Sequence, residues 1–103
     1  MKLVITENKL NSIIINWLNK HYSDLERFNR TEFREIYLSK NGLFKIMYNL
    51  RGKQLYIVRE LWDFVSEVFS LDYEETGKIL LNWCNNKFGF RAKVFYRVNE
   101  IWK

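Results

Sequence analysis

Few residues in this sequence are equipped for covalent chemistry. It holds one His, His21, and one Cys, Cys84. A nucleophilic site needs a nucleophile, a base and a group that orients the base. His21 closes an apolar helical stripe and Cys84 falls on the inner side of another helix, so both read as buried structural residues. A single Cys and a single His cannot close a four-ligand zinc site. The carboxylates fall into three groups: Glu32/Glu35, Asp63/Glu67 and Asp72/Glu74/Glu75. Asp63 and Glu67 share a helix face, yet no Lys or His is spaced to assist a metal-bound water. These acids read as a solvated helix face and as charges favoured at a helix N-terminus. The four Gly are scattered at 42, 52, 77 and 89, so no phosphate-cradling loop is present. The expectation is a protein with no enzymatic activity, no cofactor, no metal and no small-molecule substrate.

Binding surfaces are the alternative, and two stand out. The segment 59–71 has helical spacing but is apolar on more than one side. Leu61, Val65 and Val68 can face a sheet while Trp62 and Phe69 lie toward the flank. A helix of that kind is covered on more than one side. The candidate protein interface is therefore Trp62, Phe69 and Tyr73 with an acidic rim of Glu60, Asp63 and Glu67. The second surface lies on residues 90–98, which alternate as a strand. Phe90, Ala92, Val94, Tyr96 and Val98 are expected against the helices, and Arg91, Lys93, Phe95 and Arg97 on the opposite face. If Tyr37, Lys45, Met47 and Tyr56 shared that outer face, rings among cations would suit single-stranded nucleic acid, with stacking worth ~1–3 kcal/mol per base.

Elements must position these side chains. Residues 2–6 form a short β-branched run, expected as a strand. Leu10, Ile13, Ile14, Trp17, Leu18 and His21 follow at helical spacing. Residues 23–32 have no clear period and read as a connection. Alternation over 33–40 and 43–49, with Asn41-Gly42 between, is a strong hairpin signal, because both turn positions favour positive φ. A second turn at 50–53 leads to a third strand at 54–58. A helix follows over 59–71. Asp72 with Glu75 three residues on is a capping-box start for the next, which runs to Phe88 with Gly89 as its stop. The expected order is β-α-β-β-β-α-α-β, an α+β fold with a mostly antiparallel sheet and helices on one face. Residues 1–103 read as one domain, with 99–103 as a tail that docks through Ile101 and Trp102.

Composition narrows the class. The chain is 48% hydrophobic, too apolar for intrinsic disorder. Its longest uncharged stretch, residues 10–19, is about half a membrane span. No signal-peptide pattern opens it, so a cytoplasmic or virion protein is expected, without a membrane partner. Pro is absent, Ala occurs once and Asn eleven times, the imprint of an AT-rich genome. The net charge of +5 is blocked. Residues 59–77 carry six acids against Arg59 alone, and basic segments lie on either side. That argues against simple coating of nucleic acid. The 8 Phe, 6 Tyr and 4 Trp exceed what a two-layer core of this size requires, and surplus aromatics mark protein interfaces.

The opening Met1-Lys2-Leu3-Val4-Ile5-Thr6-Glu7-Asn8-Lys9-Leu10 resembles the start of small uncharacterised proteins encoded by tailed bacteriophages. There, a short strand leads directly into a helix. Leu71-Asp72-Tyr73-Glu74-Glu75, Trp83 and Phe88-Gly89 resemble helix ends in the same group. The resemblance carries no catalytic motif. It implies an accessory or virion protein that acts by binding, either modulating a host protein or sitting in an assembly. A protein partner or self-association is the first reading, and single-stranded nucleic acid the alternative.

Overall fold

A computed structural model describes residues 7–40, 42 and 44–101. The strand expected at 2–6 lies outside the described residues, as do Asn41 of the expected turn and Trp102 of the tail. The elements in chain order are α1 (Glu7–His21), β1 (Glu26–Arg30), β2 (Arg34–Leu38), β3 (Lys45–Asn49), β4 (Gln54–Val58), α2 (Arg59–Phe69), α3 (Tyr73–Phe88) and β5 (Val94–Val98). The five strands form one sheet in the order β1-β2-β3-β4-β5. The first four are antiparallel neighbours, and β5 lies parallel to β4 after the two-helix crossover. The fold is α+β with a mostly antiparallel sheet, as the periodicities imply.

The meander 34–58 follows its turn chemistry. Gly42 sits at φ +74° in the first turn. In the second, the Asn49 side-chain oxygen accepts from the N–H groups of Arg51 and Gly52, both at 3.1 Å. β1 corrects the expectation that 23–32 is only a connection. Its alternation is hidden by a bulge between Arg27 and Asn29. Its charges find a partner only in the folded state: Arg27 and Arg30 both reach the largely buried Glu35 of β2, at 3.6 Å each.

Register assigns the faces. Tyr37, Ile46, Ile57 and Arg97 are successive cross-strand partners on one face, with Tyr48, Leu55 and Phe95 beside them. The helices cover this face: Tyr37 packs on Phe88 at the end of α3, and Phe95 on Trp62 of α2. Ile36, Met47, Tyr56 and Tyr96 form the corresponding row on the opposite face. Capping holds α3 as its sequence predicts. Asp72 and Glu75 make the reciprocal capping box of α3, at 2.8 and 3.1 Å. Gly89 ends α3 in the left-handed conformation.

The layers are stitched by polar contacts inside apolar ones. Thr76, fully buried on α3, donates to the Asp72 carbonyl at 2.7 Å, so Ser66 of α2 must donate to the Thr76 oxygen at 2.8 Å. The buried Trp83 ring N–H donates to Asn19 Oδ1 of α1 at 2.8 Å. Asn85 clamps Ala92 with two bonds of 3.1 Å, one to its carbonyl and one from its N–H. Phe90 stacks on Tyr48 with ring centroids 4.4 Å apart.

That clamp changes the phase of the last strand. Phe90 and Ala92 are buried before the strand begins, and the next inward ring, Phe95, comes three residues later. From Val94 to Val98 the expected faces are therefore reversed. Phe95 lies against α3 at Gly77, where an added Cβ would run into its ring. In an ordinary helix Gly→Ala is stabilising by up to about 1 kcal/mol. Here Gly77→Ala should instead destabilise by roughly 1–3 kcal/mol through overpacking. In a Phe95→Leu background the same change should cost less. Chemical denaturation of the four proteins in this cycle measures both effects, and a stabilising Gly77→Ala would refute the contact.

Candidate functional site

The residues with nucleophilic or basic potential lie in different environments. Cys84 is fully buried, and burial pushes its thiol far above the ordinary range. His21 is exposed at the end of α1, where its ring packs on Trp17 with centroids 4.3 Å apart. The expectation of a buried His21 is thus corrected: one turn after Leu18 the stripe has run out to the surface. Tyr22 is buried with its hydroxyl pushed up to about 12 by desolvation. Among the described residues no three His, Cys, Asp or Glu side chains gather as metal ligands would. No helix among them is long and apolar enough to cross a membrane.

The two binding surfaces read from the sequence are joined in the fold. Asp63, assigned to the acidic rim, receives both arms of the Arg97 guanidinium at 2.8 Å. Arg97 itself was assigned to the basic sheet face. The reversed phase of β5 turns it toward α2 instead, and the two-pronged hydrogen bond holds the Asp63 carboxyl below the usual aspartate range. Trp62 is 2% exposed and cannot lead an interface. It is enclosed by Tyr73 and Phe95, with centroids at 4.8 and 5.7 Å. Tyr73 remains 55% exposed over this cluster. Phe69 is half-buried, edge-on to Trp17 at 5.2 Å.

The basic row does not assemble on one face either. Arg91 and Lys93 precede the strand and are exposed; the Arg91 N–H donates to the Tyr48 hydroxyl at 3.2 Å and the Lys93 N–H to the Lys53 carbonyl at 2.8 Å. Phe95 and Arg97 point to the helices, as does Tyr37, which was expected outside. Lys45, Met47 and Tyr56 do share the outer face. There Tyr56 stacks on Tyr96 at 5.3 Å and donates to Gln54 Oε1 at 3.0 Å. The outer face is an apolar and tyrosine row rather than rings among arginines.

What the structure brings together instead is a ridge where α1 meets α2. Trp17 touches Phe64 at 5.7 Å and Phe69 at 5.2 Å. Around it Ile13, Phe64 and Val68 are 45, 45 and 46% exposed. Ile13 and Trp17 are four apart on α1, and Phe64 and Val68 four apart on α2, so each pair forms a column on its helix. Val68 was expected to face the sheet; Leu61, Trp62 and Val65 occupy that side. Ile13 and Phe64 lie at the margins of their stripes, and apolar residues at a stripe's edge were the available signal.

The acids of 59–77 sort themselves around this ridge. Asp72 and Glu75 cap α3, Glu74 pairs with Lys78 at 3.4 Å, and Asp63 holds Arg97. Glu60 and Glu67 are exposed and enter no salt bridge among the described residues. Both lie in the α2 column of Phe64 and Val68. A groove of about 410 Å³ between α1 and α3 has an apolar floor of Leu10, Ile15, Leu71 and Ile79, but its rim acids are the ones α3 already uses.

No family model matches this chain, and neither does any curated protein or solved structure.

Two outcomes follow from this geometry. Trp62→Ala should cost about 3–5 kcal/mol of stability, as removal of a buried Trp does, whereas Glu60→Ala should leave the melt within about 0.5 kcal/mol. Asp63 titrates below its unfolded range near 3.9, so its bond to Arg97 is fully present above that range and lost as pH falls through the folded value. Both groups are partly exposed, which limits the effect to about 1 kcal/mol or less. Asp63→Asn should therefore be less stable than wild type at neutral pH and converge with it in acid. Parallel unfolding curves at neutral and acid pH would contradict this.

Proposed function

We propose that this protein works by binding another protein through the α1–α2 ridge of Ile13, Trp17, Phe64 and Val68, and not by catalysis. The observation that supports this reading is the pairing of exposed apolar columns with two acids, Glu60 and Glu67, that form no salt bridge among the described residues. Scattered exposed apolar residues are ordinary on a monomer. Large ones contiguous across two helices, with charge at the rim, are the pattern of an interface. Glu60 and Glu67 set the chemistry of the occupant. The fitting partner presents an apolar helix face flanked by Lys or Arg, so that burial supplies affinity and the acids supply orientation and encounter rate. The activity fits the small accessory or virion protein implied by the phage resemblance.

The test uses a synthetic amphipathic helical peptide with Lys/Arg beside its apolar face, and a control with Glu at those positions. Isothermal titration should show the basic peptide binding and the acidic one failing. Phe64→Ser should weaken binding by about tenfold or more, corresponding to ~1.4 kcal/mol, and Glu60→Gln/Glu67→Gln should remove its salt dependence. Equal binding of both peptides, or undiminished binding by a folded Phe64→Ser variant, would overturn the reading.

A further inference from the structure

The two edges of the sheet are finished differently. β1 carries Glu26, Arg27 and Arg30 and is broken by its bulge. Charges and bulges are the devices by which edge strands resist pairing. β5 has none of them over Val94-Phe95-Tyr96-Arg97-Val98 except Arg97, whose guanidinium is held by Asp63. It is regular against β4 throughout, contains no Pro or Gly, and consists largely of β-branched and aromatic residues. Among the described residues it pairs only with β4.

The ladder fixes which backbone groups the edge presents. Phe44 O and Leu50 N bond toward β2 and its flanks, so the alternate residues Lys45, Met47 and Asn49 turn theirs to β4. Their partners Gln54, Tyr56 and Val58 answer them, which leaves Leu55 and Ile57 to bond β5. In a parallel pair these engage the backbone of Val94, Tyr96 and Val98. The N–H and C=O groups of Phe95 and Arg97 then point away from the sheet. Lys93, of the same parity, is taken up by Lys53, so the open edge is the strand itself.

We propose that β5 pairs antiparallel with β5 of a second copy of this chain, about a two-fold axis at Tyr96. In this register Phe95 lies opposite Arg97 of the other copy, and the two such pairs use all four outward N–H and C=O groups of each strand's Phe95 and Arg97. Tyr96 faces Tyr96 in the closer, non-hydrogen-bonded position, and Val94 faces Val98. No like charges lie directly opposite. The exposed Arg91 and Lys93 before the strand come alongside the exposed Glu100 after it, so the ends are complementary in charge. On the outer face the stacked Tyr56–Tyr96 pair continues into its symmetry mate, so the row of Ile36, Met47, Tyr56 and Tyr96 extends across eight strands of the two copies. A second copy fits better than an arbitrary peptide because every one of these matches is made by the strand with itself. An edge contact alone is smaller than a standard stable interface, so the dimer is weak and concentration-dependent. The axis is perpendicular to the sheet, which puts both helix layers on one side. A dimer would thus display two α1–α2 ridges on the same face, although the pairing does not depend on their function.

Sedimentation equilibrium between roughly 10 μM and 1 mM should show a rising dimer fraction. The register is tested by cysteine placement, with the buried Cys84 remaining out of reach. Tyr96→Cys should form a disulfide-linked dimer under mild oxidation of the native protein, since opposed Cα atoms at such a position lie about 4.5 Å apart. Val94→Cys should not, being displaced from its own copy by about four residues of strand. A like-charge variant, Val94→Lys/Val98→Lys, should abolish association, and Val94→Lys/Val98→Glu should retain it, with thermal melts confirming that both fold. A monomer at every concentration, equal cross-linking at 94 and 96, or indistinguishable charge variants would overturn the proposal. Binding of only an extended foreign peptide at this edge would overturn it equally.

Discussion

The contact between Phe95 and Gly77 is the constraint on which the arrangement of this protein depends. It occurs where a parallel strand must return beneath two helices, and the missing side chain on α3 is what lets the ring in. Once Phe95 is inward, strand alternation leaves no choice for its neighbours. Arg97 comes to Asp63, Trp62 closes over the ring from α2, and Tyr96 is turned out to stack on Tyr56. The Asn85 clamp on Ala92 holds the approach to the strand and absorbs the extra residue that sets this phase. Packing and polar satisfaction thus act on the same few residues, which is how buried polar groups come to specify one arrangement.

The helical layer is less evenly held. α2 and α3 share the partly buried Ser66–Thr76 bond and both lie on the sheet, whereas α1 is fastened through Trp83–Asn19 and the rings around Trp17. Where α1 leans on α2, nothing among the described residues covers Ile13, Phe64 and Val68. The acidic block that looks like one feature along the chain is dispersed in space: most of it serves caps and ion pairs. Of this block, Glu60 and Glu67 lie exposed in the α2 column of Phe64 and Val68 and form no salt bridge among the described residues.

Several features were legible in the sequence because they are local. Asp72 with Glu75, Gly89 after Phe88, and the positive φ of Gly42 are set by neighbours within a few residues, and each formed as its residue type requires. β1 was not legible, because its bulge breaks the alternation and Glu35, which neutralises its arginines, belongs to another strand. The covered and exposed faces of α2 were not legible for a related reason. Trp62 and Phe64 are equally plausible as the flank of an apolar helix until it is known which side meets the sheet. The sequence carries that both are apolar, not which is covered.

Amino-acid order by itself determined the α+β class, the meander, the succession of two helices before the last strand and the capped ends of α3, since hydrophobic period and capping act over short distances. Tertiary structure decided the phase of the last strand, the enclosure of Trp62, the pairing of Asp63 with Arg97 and the exposure of the α1–α2 ridge. Each of these depends on residues more than ten positions apart competing for the same space, and a one-residue slip in a strand exchanges its two faces. Local spacing cannot resolve that competition. Only the close approach of Phe95 to a glycine on another element does so.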